Sequence, residues 1–304
     1  MPKLTSSAKI NLFLAIGPRD DSASAQKPGY HKIETVMART DTLQDFIEIE
    51  KIEAPHPVNS LLPEPKTVVK FTAAGNFQPE INALNKLPPE KNSILRAIQI
   101  LQREASKIAP RNEKPSDRKL SYRITVQKNI PPQSGLGGAA SNAATILTYL
   151  NKAEDLNLPA ARLMELGAEI GMDVPFFVSC ITRNHKVAHC TGYGEQVAPL
   201  PDLPKNLQIK IHPESLKNLT PSSTPKAYAA WDELIANSQR TKPPASSNKI
   251  LTAIHAQDPH AIITTLHNDF EKIADLTTHP THPTSPAATL LAGSGGAFVS
   301  FHVL

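Results

Sequence analysis

The stretch that most constrains this chain of 304 residues is a strand-like run that passes through a glycine-rich loop directly into a helix. Leu120, Tyr122, Ile124 and Val126 alternate with Ser121, Arg123, Thr125 and Gln127, the period of a half-buried strand. Downstream, Ile146, Leu147 and Leu150 gather on one side of Ser141–Leu150, which predicts a helix. Between them runs Pro131-Pro132-Gln133-Ser134-Gly135-Leu136-Gly137-Gly138-Ala139-Ala140. Its glycines and small residues let the backbone approach a ligand closely and turn N–H groups toward it. A helix N-terminus adds unpaired donors and partial positive charge, a combination suited to phosphate. The loop is not a Walker A motif, because no Gly-Lys-Ser/Thr follows the glycines. Nor is it a dinucleotide fingerprint, since the spacing differs and no βαβ unit surrounds it. Taken alone, the run fits either a phosphate cradle or an ordinary glycine-rich connection.

Further strands are expected at Ile10–Ile16, Phe46–Ile52, Val68–Ala73 and Val174–Ile181, and helices at Ser93–Ile108 and Pro159–Ile170. Asn92 or Ser93 suits a helix cap, and Pro159 suits a first helical position. Strands interleaved with helices in this way predict an α+β fold. A second unit is expected after the proline-rich step Pro199–Pro204. It opens with a strand at Leu207–Ile211, continues with helices from Thr224-Pro225 and Asp258-Pro259, and closes with strands around Gly293–Gly296. The proline-rich segments 55–66, 110–119 and 277–286 read as surface loops. His279 and His282 lie in the last of these, but the prolines hold it open and no carboxylate or cysteine is near, so a metal site is not expected there.

The 32 basic and 28 acidic residues leave a net charge of only +4, too small and too dispersed for a nucleic-acid partner. The apolar stretch Ile10–Ile16 is too short for a signal peptide or a membrane span, so no membrane partner is expected. Cys180 and Cys190 lack metal-site spacing and read as reduced, packed residues, in keeping with a cytoplasmic location.

The pattern Pro-x-x-x-Gly-Leu-Gly-x-x-x-Ser resembles the central motif of the GHMP small-molecule kinases, named for galactokinase, homoserine kinase, mevalonate kinase and phosphomevalonate kinase. Five further matches occur in that family's order. They are Ala8–Leu14 (Ala-Lys-Ile-Asn-Leu-Phe-Leu), Gly29-Tyr30-His31, Gly171–Phe177 (Gly-Met-Asp-Val-Pro-Phe-Phe), Asn268-Asp269-Phe270-Glu271 and Gly293-Ser294-Gly295. The resemblance implies the two-domain GHMP kinase fold. A ribosomal protein S5 domain 2-like N-terminal domain would span residues 1–205, and a ferredoxin-like α/β domain residues 206–304. It implies ATP as cofactor, with Mg²⁺ expected, a monomer or homodimer, and a small-molecule alcohol as substrate. The likeness narrows to members whose substrate carries a cytidine diphosphate head group.

Residue roles follow from the same resemblance. Pro131, Gly135, Leu136, Gly137, Gly138, Ala139, Ala140 and Ser141 would cradle the ATP phosphates, with Asn92 and Lys128 near the nucleotide. By themselves those last two read equally as a helix cap and a solvated strand-end lysine. Asp173 would be the catalytic base, although its sequence context alone favours a turn. Lys9 would keep that carboxylate ionised and hold the acceptor hydroxyl in line; taken alone it snorkels to solvent. Asn11 shares a strand face with Lys9 and would bond the acceptor. Tyr30 offers a stacking face and His31 a base-edge partner, with Thr224, Pro225 and Tyr228 as a second wall around the cytosine. Their plain alternatives are loop packing and helix-start residues.

Two departures from the family stand out. Ala140 replaces a serine able to bond phosphate, a charge-assisted contact worth ~1.5–3 kcal/mol, or roughly tenfold to a hundredfold in affinity. Gln133 and Ser134 replace residues that are often glycine. The chain also ends at Leu304, before a helix that the family commonly carries. Two rival readings remain: a GHMP kinase for a mevalonate-type alcohol or homoserine, and a catalytically silent ligand sensor. The Tyr30/His31 pair argues against the first, and the retention of Lys9 and Asp173 against the second.

Overall fold

A computed structural model describes residues 1–22, 27–52, 66–73, 77–108, 120–212, 224–237, 245–273 and 288–304. The chain gathers into two compact units that interleave in sequence. The first takes Met1–Ser7, Gln44–Pro132 and Gly138–Val178; the second takes Ala8–Leu43, Gln133–Gly137 and Ser179–Leu304. Two long strands, β1 (Lys3–Asp20) and β2 (Tyr30–Lys51), run through both.

In the first unit, the end of β2 pairs antiparallel with β4 (Tyr122–Lys128), and β3 (Val68–Ala73) pairs parallel with β4. The register sets Ile47 opposite Val126 and Ile49 opposite Ile124. All four are buried, as the alternation in the sequence requires. Helix α1 (Gln78–Asn85) packs on β3, and α2 (Ser93–Ile108), α3 (Gly138–Ala153) and α4 (Ala160–Ile170) pack on one another. Ile146, Leu147 and Leu150 of α3 are fully buried, each contributing ~1.5–3 kcal/mol relative to exposure. The predicted helix at Ser141 therefore begins three residues earlier, inside the glycine-rich loop.

One prediction fails. Val174–Ile181 is not a strand but lies within helix α5 (Val174–Arg183). Val174, Phe176, Phe177 and Val178 are all buried, and a continuous apolar run has no period by which to tell strand from helix. Pro175 was the available clue, since in the first turn of a helix a missing N–H costs nothing.

In the second unit, Thr35–Ala38 of β2 pairs antiparallel with β5 (Val187–Thr191), which pairs in turn with β6 (Gln196–Leu200). A separate antiparallel sheet has the order β7 (Leu207–His212), β10 (Phe298–Val303), β9 (Ala288–Leu291). Helices α6 (Thr224–Asn237), α7 (Asn248–His255) and α8 (Pro259–Thr264) belong to this unit, and Asp258 caps α8 through the N–H groups of His260 and Ala261. The short β8 (His267–Asn268) pairs parallel with β1. Leu14, Ile16, Ala227, Trp231, Phe270, Leu291 and Phe298 form one buried cluster here. The loops expected at 55–66, 110–119 and 277–286, with His279 and His282, lie outside the described residues apart from Lys66.

Candidate functional site

In the first unit, the flanks of the glycine loop rest on buried polar side chains. β4 ends at Lys128, whose ammonium is buried against Asp45 and also donates to Asn142 Oδ1 at 3.2 Å. Lys128 is therefore not the solvated strand-end lysine of the plain reading. Burial pushes its pKa down, opposed by the Asp45 charge. A methyl group on Gly138 would lie 3.0 Å from Lys128 Nζ, so the cation sits against the first residue of α3. Because α3 starts at Gly138, the N–H groups of Gly138, Ala139, Ala140 and Ser141 belong to its first turn and have no intrahelical partner. Ser141 is buried and its hydroxyl accepts from Ser6 at 2.7 Å. Ala139 is exposed and Ala140 half-buried.

Asn92 caps α2, its Oδ1 accepting from the N–H groups of Ile94 and Leu95 at 3.0 and 3.2 Å. Ser93 donates to the Ala139 carbonyl at 3.0 Å, which brings the N-terminal ends of α2 and α3 together. Asp173 is half-buried and immediately precedes α5, in the turn that follows α4. Gly167 makes this turn tight, since a Cβ there would meet Val174 Cγ1 at 2.9 Å.

In the second unit, the centre of the loop crosses the Gly293–Gly296 turn, backbone against backbone. Gly135 has φ +81°, and a Cβ on it would fall 1.8 Å from the Ala292 carbonyl oxygen. Gly137 and Gln133 are also left-handed, at φ 72° and 60°. Gln133 thus adopts a conformation that favours glycine, where the family often has one. The Lys9 N–H donates to the Leu136 carbonyl at 2.9 Å. Lys9 is buried on β1 with its ammonium donating to Asn11 Oδ1 at 2.6 Å, and Asn11 donates on to Thr35 Oγ1 at 2.8 Å. A Cβ on Gly293 would stand 3.3 Å from both Lys9 Nζ and Asn11 Oδ1. The strand-face pairing of Lys9 and Asn11 is therefore real, and both side chains reach the glycine turn.

The motif Asn268-Asp269-Phe270-Glu271 holds that turn. Asn268 Nδ2 donates to the carbonyls of Leu291 and Gly293 at 2.9 and 2.8 Å, Glu271 accepts from the Leu291 N–H at 2.9 Å, and Asp269 accepts from the Ile16 N–H at 2.8 Å. Burial raises the Glu271 pKa. For Asp269 burial also acts upward, but bonds from His267, Lys272 and Ile16 outweigh it and the net shift is down.

Of the substrate-side residues, His31 is buried and Tyr30 is half exposed. Tyr228 on α6 stacks on the His31 ring at 5.2 Å and 15°. His31 Nδ1 is bonded to the Gly17 carbonyl at 2.9 Å. Its Nε2 lies 2.9 Å from Asp232 Oδ1 but outside hydrogen-bond alignment. Tyr30 meets Tyr193 edge-on at 6.2 Å. Thr224 and Pro225 open α6, and Thr224 bonds Ser294 at 3.1 Å. Sequence reasoning missed Asp45, Asn142, Thr35 and Asp232. Asp232 alone had a local signal, standing four residues after Tyr228 on one helix face.

The description "GHMP kinases N terminal domain" matches residues 92–180, the segment holding α2, the glycine loop and Asp173. That defines the class: a GHMP-type small-molecule kinase. A relative from Gloeobacter violaceus named 4-diphosphocytidyl-2-C-methyl-D-erythritol kinase is 30% identical over 98% of this chain and 82% of its own length. Another of that name, from Caldicellulosiruptor bescii, is 33% identical over 76% of this chain and 64% of its own length. The chain belongs to the 4-diphosphocytidyl-2-C-methyl-D-erythritol kinase family. A crystal structure of 4-(cytidine 5'-diphospho)-2C-methyl-D-erythritol kinase superposes with a TM-score of 0.59, at 23% identity, covering 98% of this chain and 89% of that one; it shares the fold.

Proposed function

We propose that this chain is an ATP-dependent kinase that phosphorylates the 2-hydroxyl of 4-diphosphocytidyl-2-C-methyl-D-erythritol in the non-mevalonate route to isoprenoids. The observation that carries the reading is the loop itself. Its second half forms the first turn of α3, whose N–H groups at Gly138–Ser141 have no intrahelical partner, which supports reading it as a receptor for polyphosphate. Backbone donors do not depend on a side-chain hydroxyl, so the alanine at 140 does not remove the cradle.

In the proposed reaction the acceptor oxygen attacks the γ-phosphorus, the bond from that phosphorus to the β–γ bridging oxygen breaks, and ADP leaves. The acceptor proton passes to the Asp173 carboxylate. Lys9, fixed by Asn11, supplies positive charge to the hydroxyl and the transferring group. Tyr30, His31 and Tyr228 would hold the cytosine, with Thr224 and Pro225 beside them; Asn92 and Lys128 would serve the nucleotide. Mg²⁺ commonly retains several waters and is held by substrate phosphates with one or two carboxylates. Bound with the ATP phosphates, Mg²⁺ would neutralise their charge. No described helix is long and apolar enough to cross a membrane; a cytoplasmic location is part of the proposal. We keep a division near residues 205/206 as a proposal, since the N-terminal-domain match ends before it, and a monomer or homodimer likewise.

The test is ³¹P NMR of the purified protein with ATP, magnesium and the cytidine substrate. A new phosphomonoester at the 2-position together with ADP is expected; ATP left unchanged would overturn the proposal.

A further inference from the structure

Asp45 lies far in sequence from the glycine loop, is fully buried, and accepts four hydrogen bonds. Oδ1 accepts from the N–H groups of Asn129 and Ile130 at 2.8 and 2.9 Å. Oδ2 accepts from the Lys128 ammonium and from Asn142 Nδ2, the latter at 3.0 Å. Four donors saturate the four lone-pair sites of one carboxylate. The first three come from the strand end that leads into the loop, and the fourth from the first turns of α3, into which the loop leads. Asn142 Nδ2 also donates to Ser6 Oγ at 2.9 Å, and Ser6 donates to Ser141. One carboxylate thus ties both flanks of the loop together.

We propose that Asp45 is a positioning residue for the ATP phosphates: it sets the α3 N-terminus relative to the incoming strand, and so aims the N–H groups at Gly138–Ser141. The inference rests on the kinase reading above. The donor arithmetic makes it specific. Asparagine at 45 keeps an oxygen for the Asn129 and Ile130 N–H groups, so the strand flank stays held. Its NH₂ group, however, would face two other donors, the Lys128 ammonium and the Asn142 amide. Turning the Asn142 amide over does not repair this, because its NH₂ would then face the ammonium now held at 3.2 Å from its oxygen. The backbone bonds from residues 129 and 130 remain, while the bonds from Asn142 on α3 and from the Lys128 ammonium at the end of β4 are both lost. Losing one charge-assisted hydrogen bond to a phosphate costs roughly tenfold or more in affinity.

The experiment measures the dissociation constant for ATP with magnesium by calorimetry, with no acceptor present, alongside the melting temperature. Asp45→Asn should weaken ATP binding about tenfold or more while KM for the cytidine substrate at saturating ATP stays unchanged. Tyr122→Phe breaks the half-buried Tyr122–Glu154 bond in the same unit and should lower the melting temperature without moving the ATP constant, which separates positioning from loss of stability. A folded Asp45→Asn protein with wild-type ATP affinity overturns the inference. If that variant does not fold, Asn142→Ala replaces it, and wild-type affinity there has the same meaning. Absence of ATP binding by the wild-type chain would instead sink the kinase reading itself.

Discussion

Gly135→Ala puts the loop geometry to a quantitative test. At φ +81° an alanine costs ~1–2 kcal/mol over glycine. Its methyl would sit 1.8 Å from the Ala292 oxygen, 2.8 Å from the Ala292 carbonyl carbon and 2.9 Å from the Gly295 nitrogen. All three are backbone atoms, so relief requires moving a chain segment rather than a rotamer, and overpacking of this kind costs ~1–3 kcal/mol or more. Together they take about 2–5 kcal/mol from a total stability usually between about 5 and 15 kcal/mol. Gly138→Ala is the matched control. Its methyl meets side-chain rather than backbone atoms, Ile130 Cγ2 and Lys128 Nζ at 3.0 Å and Ile130 Cβ at 3.2 Å, so the neighbours need give by only a few tenths of an ångström. Urea denaturation should therefore show a large fall in midpoint for Gly135→Ala and little change for Gly138→Ala. The ATP dissociation constant should rise about tenfold or more in the first, because the loop can no longer cross the Gly293–Gly296 turn as it does now. A Gly135→Ala protein with the wild-type midpoint and wild-type ATP affinity would refute the close crossing.

Asp173→Asn should lower kcat by ~10²–10⁴-fold with ATP affinity nearly intact; near-wild-type turnover would remove Asp173 as the base. Tyr30→Ala and Tyr228→Ala should each raise KM for the cytidine substrate about tenfold, from ~1–3 kcal/mol of lost stacking, while ATP affinity stays put; the reverse pattern would invert the pocket assignment. Acid should destabilise the fold through His185. Burial lowers its pKa, with Nε2 bonded to Ser179 at 2.8 Å and Nδ1 to the Val187 carbonyl at 3.0 Å. The unfolded chain therefore takes up a proton near pH ~6.5 that the folded chain resists, and stability falls as pH drops below that value. Glu271, raised by burial, pulls the other way just above its ordinary value of 4.5. The melting temperature should decline from pH 7 to pH 5.5, and less steeply in His185→Asn; an identical slope in both would contradict the assignment.

What the sequence made legible was local. The alternation in Leu120–Gln127 and the loop opening into α3 announced themselves, because a strand period and a run of glycines act over a few residues. The placement of Lys9 and Asn11 on one face followed from strand geometry alone. Helix α5 was misread because burial all round Phe176 and Phe177 erases the periodic signal. β2 extends far upstream of the predicted Phe46 start because Thr35–Ala38 is held by Val187–Cys190 of β5, distant in sequence, a pairing no local pattern encodes. The Asp45 network was invisible for the same reason, its partners Lys128 and Asn142 lying 83 and 97 residues away. The Asn268–Glu271 match gained its physical meaning only from the fold, as the set of bonds that anchors the Gly293 turn.

The most direct test of the account is kcat/KM for ATP-dependent phosphorylation of 4-diphosphocytidyl-2-C-methyl-D-erythritol, measured beside mevalonate and homoserine under one set of conditions. A site that hydrogen-bonds and stacks a cytosine discriminates strongly against alcohols without one. The account predicts a preference for the cytidine substrate on the order of a hundredfold or more. Equal or faster turnover of mevalonate or homoserine would contradict it.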